Sequence, residues 1–188
     1  MIWLIGFSAF ILAGIFRGQE AMDYLDEKTD AWTRFDSLFK KYGSQYNIPW
    51  QWLKAFCLVE SDLGRAKSVS LGMREPSNID GSKSSDGKSW GIMQVTLKTG
   101  SDFDKSITVE KLNDPVYSVE IACKYISWTI NFLNKSSITQ NNPRWVEAIV
   151  KSYNQGVGNT VNEFSGKKGY ANEYWVKWQK QLKRVIEG

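Results

Sequence analysis

The chain of 188 residues contains no histidine. This absence excludes Ser-His and Cys-His nucleophilic pairs, and it excludes metal sites that depend on imidazole ligands. Its two cysteines are too few for a cysteine-based zinc site or for a disulfide-dense scaffold. We therefore expect neither a metal nor another cofactor, and carboxylate chemistry is the main enzymatic option that remains.

The two cysteines, Cys57 and Cys123, each fall within a predicted helix, on or beside its apolar face. This position favours two buried free thiols, because an unpaired cysteine packs as a small apolar side chain. A bridge between them stays open as an alternative, and it would imply an oxidising compartment.

Runs of basic residues are also absent, although lysine and arginine outnumber aspartate and glutamate by 24 to 20. Without such a run we expect no nucleic-acid partner. The formal net charge of +4 suits an anionic partner such as a cell envelope. Nine tryptophans and eight tyrosines are many for this length. Aromatic rings stack on sugars, but most of those at helical spacing pack in a core.

The N-terminal stretch 2–16 is almost continuously apolar and ends at Arg17. It is shorter than the ~20 residues of an average spanning helix, although segments of about 17 residues do span membranes. We interpret residues 1–17 as an uncleaved membrane anchor or signal-anchor, so residues 2–16 would contact the membrane. A cleaved signal peptide and a tail buried in a larger assembly are the alternatives.

The next segment, residues 18–42, is polar with apolar residues every three or four positions. This spacing predicts an amphipathic helix, which we interpret as a stalk. Gly43 is expected to interrupt it, so the folded domain is predicted to cover residues 43–188. The long polar segment from Arg65 to Lys88 is predicted to be a loop, because it is rich in Ser, Gly, Asp and Lys.

Within the domain, hydrophobic periodicity predicts helices and no strand alternation persists, which indicates a mainly α fold. One helix is expected to start near Pro49 and another at Asp114-Pro115, where an acidic cap precedes a first-turn proline. Further helices are predicted from Trp145 to Tyr153 and from about Tyr170 to Ile186.

Glu60 is the residue most open to a catalytic interpretation. Read at helical period, it shares one face with Leu53, Phe56 and Cys57, and Gly64 follows where helices usually stop. Apolar neighbours and the negative end of the helix dipole both raise the pKa of a carboxyl group. A carboxyl group that stays protonated near neutral pH suits general acid catalysis. This stretch alone nevertheless favours a partly exposed helix-end glutamate without a catalytic role.

Several short motifs, taken in order, carry a family resemblance. They are Glu60-Ser61, Gly91-Ile92-Met93-Gln94, Asp114-Pro115, Tyr125-Ile126 and Tyr153-Asn154-Gln155-Gly156. Their order and spacing resemble the soluble-lytic-transglycosylase (SLT) catalytic domains of glycoside hydrolase family 23, which are related to goose-type lysozyme. The resemblance covers about residues 43 to 176 and implies a lysozyme-like helical fold.

This chain departs from the family pattern at a few positions. Ser118 and Ala122 stand where the family usually has Asn and Gly, and Ser152 and Gln155 replace alanines. The gap between Glu60 and Gly91 is also longer than usual. Near the C-terminus, either Tyr174 or Trp175 matches the aromatic position of the family.

The resemblance implies cleavage of the β-1,4 bond between N-acetylmuramic acid and N-acetylglucosamine in peptidoglycan, without water. Glu60 would be the single acid and base, and the product would be a 1,6-anhydro sugar. Substrate-binding roles are implied for five residues: Ser61, Met93, Gln94, Tyr153 and Asn154. Tyr153 would place its hydroxyl near Glu60, and Met93 would shape the floor of the cleft.

Other functions stay open at this point. A hydrolytic goose-type lysozyme would need a second acid, which Asp80 or Asp86 could supply only if the long loop folds inward. An inactive assembly protein with this fold and a membrane-anchored glycan-binding module are the remaining alternatives. The implied partner is a peptidoglycan glycan strand, and the implied location is the membrane, with the catalytic domain facing the periplasm and cell wall. A phage virion or a secretion or conjugation machine would fit such an enzyme.

Overall fold

The computed structural model describes residues 31–65, 88–167, 169 and 171–188. The predicted membrane segment 2–16, the first part of the predicted stalk, and the loop acids Asp80 and Asp86 lie outside the described residues. Within the described part of the chain, no helix is both long and apolar enough to cross a membrane.

The described part is mainly helical, as predicted. Its elements in chain order are α1 (Asp36–Tyr46), α2 (Trp50–Ser61), β1 (Ser89–Trp90), β2 (Val95–Thr96), α3 (Leu97–Ser101), α4 (Val109–Asn113), α5 (Pro115–Lys135), α6 (Trp145–Gln155), α7 (Val157–Phe164) and α8 (Glu173–Glu187). The two strands pair antiparallel, with Trp90 opposite Val95. This hairpin was not predicted, because two-residue strands are too short to show alternation.

Helix α5 packs against α1, α4 and α6, and α8 packs on α2 and α6. Helix α5 starts as predicted: the Asp114 carboxylate accepts a 2.8 Å hydrogen bond from the Val116 amide, and Pro115 occupies the first turn. Cys123 on α5 and Cys57 on α2 are both buried and free, which confirms the favoured interpretation.

The prediction of a stalk is wrong for residues 31–42, the part of it that the structure describes. Helix α1 starts at Asp36 and continues through Gly43, and Phe35, Leu38 and Phe39 are completely buried in the core. Gly43 does not break the helix. It allows the following turn to pack closely, because a Cβ atom there would lie 2.6 Å from the Ile48 carbonyl oxygen. The domain therefore includes α1.

An ion pair also ties α1 to the domain. Lys54 on α2 is 2% exposed, and its ammonium lies 2.7 Å from a carboxylate oxygen of Asp36 and 4.4 Å from the centre of the Trp32 ring. A buried ammonium is tolerated only when such partners replace its water. The segment around Trp32 and Asp36 is therefore part of the folded unit.

The helix ends differ in detail from the prediction. Helix α2 ends at Ser61, and Asp62 then adopts a left-handed conformation (φ 50°), so the chain turns before Gly64 is reached. After α6, Gly156 (φ 83°) turns the chain directly into α7, which was not predicted. Its eight residues are too few to give a distinct helical period beside the glycines.

Candidate active site

A cleft of about 570 Å³ opens between the end of α2, the β-hairpin, α5 and the α6–α7 turn. Glu60 is the one carboxylate among the described residues that line it, and polar or aromatic side chains account for most of the rest. The lining residues that matter below are Glu60, Gln94, Tyr125, Tyr153, Asn154 and Gln155.

Glu60 occupies the last turn of α2 and is half-buried in the wall of the cleft. Burial raises the pKa of its carboxyl group from the ordinary value of 4.5 to about 7, because the charged form loses solvation. A hydrogen bond from the Tyr174 hydroxyl acts in the opposite direction, since it stabilises the carboxylate, but burial is the larger effect. The predicted upward shift is therefore present.

Tyr174 is the direct partner of Glu60: its hydroxyl donates a hydrogen bond to Oε1 of the carboxyl group. The sequence left the choice between Tyr174 and Trp175 open. Trp175 instead stacks on Trp178, with ring centres 5.6 Å apart and planes 16° apart, and so belongs to the packing of α8. The sequence does not assign Tyr174 to the site, because the C-terminal family motif does not fix which of the two aromatic residues takes that position. The packing of α8 on α2 brings Tyr174 to Glu60 across 114 positions.

The hairpin loop is held by side chains from two helices. The Ser118 hydroxyl on α5 accepts a 3.2 Å hydrogen bond from the Met93 amide, and the Tyr153 hydroxyl on α6 donates a 2.8 Å hydrogen bond to the Met93 carbonyl. Within the loop, the Gln94 side-chain amide donates to the Gly91 carbonyl over 2.7 Å. Gln94 lines the cleft, and its amide is thereby fixed in orientation.

Tyr153 lies in the site, but its hydrogen bond differs from the one expected. Burial and, after it, the charge of Glu60 raise the pKa of the Tyr153 hydroxyl well above its ordinary value, and both residues line the cleft. The hydroxyl nevertheless donates to the Met93 carbonyl, and the hydroxyl that bonds to Glu60 is that of Tyr174. The Tyr153 ring packs on Phe56, with ring centres 4.7 Å apart. Tyr153 therefore connects the hairpin loop to the core and forms a wall of the cleft.

The substrate contacts expected for Ser61 and Met93 need correction, because both side chains are completely buried and neither lines the cleft. Adjacent helical residues point about 100° apart, so Ser61 faces the core while Glu60 faces the cleft. The Ser61 hydroxyl donates to the Ile92 carbonyl over 2.7 Å and accepts from the Gly64 amide over 2.9 Å. It positions the hairpin loop against the end of α2.

Asn154 and Gln155 line the opposite wall of the cleft. The Gln155 side-chain amide donates to Oε2 of Glu163 over 2.9 Å and to the Thr160 hydroxyl over 3.2 Å. Glu163 is in turn paired with Lys151, which is 3% exposed. Because both donor contacts point towards α7, the carbonyl oxygen is the group that Gln155 can offer to a ligand. The sequence pattern indicated Gln155 only as a replacement for alanine.

The described residues contain no group of three or more His, Cys, Asp or Glu side chains that could hold a metal ion. The cleft residues are instead suited to transferring a proton. The cleft presents one carboxyl group with a pKa near neutrality, fixed by a tyrosine hydroxyl, and it is surrounded by amides and aromatic rings. This combination suits general acid and base catalysis on a polar, uncharged ligand.

Comparison with known proteins agrees with this geometry. The family described as "Transglycosylase SLT domain" matches residues 37–176. Among solved structures, the fold is similar to the X-ray structure of an inactive mutant of the lytic transglycosylase Slt from Pseudomonas aeruginosa, with a TM-score of 0.50 and 14% sequence identity. The match covers 85% of this chain and 24% of that one, so the chain spans a small part of that protein. No curated protein matches the sequence.

Proposed function

This chain belongs to the transglycosylase SLT domain family, and from that membership we propose that it is a peptidoglycan lytic transglycosylase. In this proposal it cleaves the β-1,4 bond between N-acetylmuramic acid and N-acetylglucosamine without water and leaves 1,6-anhydromuramoyl ends. Glu60 is the single acid and base. The observation that carries the proposal is a half-buried carboxyl group in the cleft wall with a pKa of about 7.

In the first step, protonated Glu60 donates its proton to the glycosidic oxygen as the bond from that oxygen to C1 breaks. Tyr174 already bonds to Oε1, which leaves Oε2 as the oxygen that carries the proton. In the second step, the C6 hydroxyl oxygen of the same muramoyl residue attacks C1, and its proton passes to the Glu60 carboxylate. Protonated Glu60 is thereby restored, and no water is consumed.

A single carboxylate suffices for this reaction because the nucleophile belongs to the substrate. An ordinary glycosidase needs a second carboxylate, either as a nucleophile or to activate water. An intramolecular hydroxyl is held near the reacting carbon, which lowers the entropic part of the barrier. The presence of Glu60 as the one acid among the described cleft residues supports this mechanism over hydrolysis.

The mass of the released muropeptides tests this proposal. Mass spectrometry of purified peptidoglycan digested by the protein is expected to detect muropeptides that are lighter than the reducing-end products by the mass of one water. A hydrolytic muramidase digest of the same peptidoglycan is the matched control, because it produces reducing ends only. If the protein itself produces reducing ends, it is a hydrolase and the proposed mechanism is wrong; a protein that releases nothing would contradict the activity as a whole.

Tyr174→Phe is expected to move the pH dependence of this activity. The substitution removes the hydrogen bond that favours the Glu60 carboxylate, so the pKa of Glu60 should rise above its value of about 7. Since the first step needs protonated Glu60, the fall in kcat at alkaline pH should move to higher pH. Trp175→Phe, at the adjacent position, is the control, because the Trp175 ring stacks on Trp178 instead of bonding to Glu60. The pH profile of its kcat should match that of the parent. An unmoved profile for Tyr174→Phe would contradict the role of Tyr174.

A further inference from the structure

Three aromatic side chains form a continuous row along one face of α5. Tyr125 and Trp128 stack with ring centres 5.9 Å apart and planes 26° apart, and the Trp128 and Phe132 rings are 5.4 Å apart. Their spacing of three and four residues places them on the same face. A helix rises about 1.5 Å per residue, so the row covers about 10 Å of surface, which is room for more than one sugar ring.

One end of this row is in the cleft and the other is in solvent. Tyr125 lines the cleft and contacts the Tyr153 ring at 5.7 Å. Trp128 is 42% exposed and Phe132 is 39% exposed, which places both among the large apolar side chains left on the surface. The row therefore leads out of the candidate active site along α5.

The rings near the cleft are held in place. The Tyr125 hydroxyl donates a 2.9 Å hydrogen bond to the Ser152 carbonyl on α6. The Phe103 ring makes edge contacts with both Tyr125 and Trp128, at 6.3 and 6.5 Å. Stacking of a ligand on such rings costs little protein side-chain entropy, because the rings are already ordered before the ligand binds.

We propose that Tyr125, Trp128 and Phe132 form a glycan-binding extension of the cleft, on which sugar rings further along the peptidoglycan strand stack while Glu60 acts on one bond. This inference rests on the proposed function and adds the part of the substrate that lies outside the catalytic cleft. Aromatic rings attract the C–H groups of a sugar through the negative potential of their faces, and they do so without any charge on the sugar. Continuity with the cleft favours a glycan strand over a protein or lipid partner.

Two replacements of Trp128 separate sugar stacking from simple apolar contact. Trp128→Phe keeps a flat aromatic face, whereas Trp128→Leu keeps an apolar side chain without one. Both would be made in a Glu60→Gln background, and sedimentation with insoluble peptidoglycan would then measure binding without turnover. Ile186→Ala, which replaces a 67% exposed apolar residue on α8, is the matched control.

We expect Trp128→Leu to weaken binding about three- to tenfold, Trp128→Phe to retain most of the affinity, and Ile186→Ala to match the parent. Equal binding by Trp128→Leu and the parent would overturn the proposal. Equal weakening by Leu and Phe would also overturn it, because size rather than an aromatic face would then be required. Thermal unfolding of each variant controls for folding.

A kinetic measurement on the protein with Glu60 intact distinguishes this inference from the proposed function. With soluble glycan strands of increasing length, Trp128→Leu should raise KM more for long strands than for short ones and leave kcat nearly unchanged. A parent protein that cleaves no strand would contradict the proposed function, whereas the binding assay would still test the aromatic row. An active parent with the same KM as Trp128→Leu at every length would overturn the aromatic row alone.

Discussion

Glu60→Gln is expected to lower the rate of peptidoglycan cleavage by about a hundred- to ten-thousandfold, the range of a lost general acid or base. The replacement keeps the size of the side chain and an oxygen that can accept the Tyr174 hydrogen bond, but it cannot release a proton to the glycosidic oxygen. The described cleft lining contains no other carboxylate to replace it. Release of soluble muropeptides from purified peptidoglycan measures the loss.

Glu110→Gln is the matched control, because Glu110 is an exposed carboxylate outside the cleft. It should leave the cleavage rate unchanged. If Glu60→Gln retained activity comparable to that of the control, Glu60 would not be the acid and the proposed mechanism would have to be abandoned.

The stability of Glu60→Gln shows whether the fold survives the change. The pKa of Glu60 is about 7 in the folded protein against an ordinary 4.5, so the folded state favours the protonated carboxyl group. The free energy of unfolding of the parent should therefore fall as the pH rises from about 4.5 to 7. Glutamine does not ionise, so above pH 7 the variant should be more stable than the parent, by up to about 3 kcal/mol. Near pH 4 the two should be alike, and urea unfolding at both pH values measures the difference.

Gly91→Ala is expected to destabilise the protein by about 3 to 5 kcal/mol. Gly91 has a φ of 74°, in the left-handed region that side chains disfavour. A Cβ atom there would also lie 1.9 Å from the Leu112 carbonyl oxygen and 2.6 Å from the Ser118 hydroxyl. Because the Leu112 oxygen is a backbone atom, the hairpin loop would have to move away from α4. Urea unfolding measures the cost.

Gly156→Ala separates the two causes of the loss expected for Gly91→Ala, which are backbone strain and steric contact of the added Cβ atom. Gly156 has a similar φ of 83°, but among the described residues no atom beyond its chain neighbours lies within 4 Å of the position of its Cβ. Its ψ of 145° belongs to a region that essentially only glycine occupies, so its substitution should cost the backbone strain alone, about 1 to 3 kcal/mol. If the two alanine variants were equally stable, the close contact at Gly91 would not matter, and the hairpin loop would be more adaptable than its contacts indicate.

Much of the fold could be predicted from local sequence. The start of α5 follows from Asp114 and Pro115, since a capping carboxylate and a first-turn proline act on neighbouring residues. The prediction failed where tertiary contact overrides local preference. Gly43 was expected to end a helix, yet α1 continues through it because the turn at Ile48 packs against its backbone. The predicted stalk was wrong in its described part for the same reason, since an amphipathic pattern does not tell which partner covers the apolar face.

For the candidate site, too, some features could be predicted from the sequence and others required the structure. Ordered motifs in the sequence were enough to select Glu60, Gln94, Tyr153 and Asn154, and all four line one cleft. Helical period also placed Glu60 beside apolar neighbours, which is the physical origin of its raised pKa. Spacing along the chain determines which helical face Glu60 occupies, whereas Gln94, Tyr153 and Asn154 were selected through the resemblance of their motifs to a known family.

The contacts between distant segments depended on how the helices pack. Tyr174 reaches Glu60 because α8 packs on α2, and Ser61 and Met93 point into the core rather than towards the substrate. The outward row from Tyr125 to Phe132 depends on the position of Tyr125 in the cleft wall. Periodicity along one helix is a local property, whereas hydrogen-bond partners and solvent exposure are set by elements that lie far away in the sequence. For that reason the acid could be found from the sequence, and its tyrosine partner required the fold.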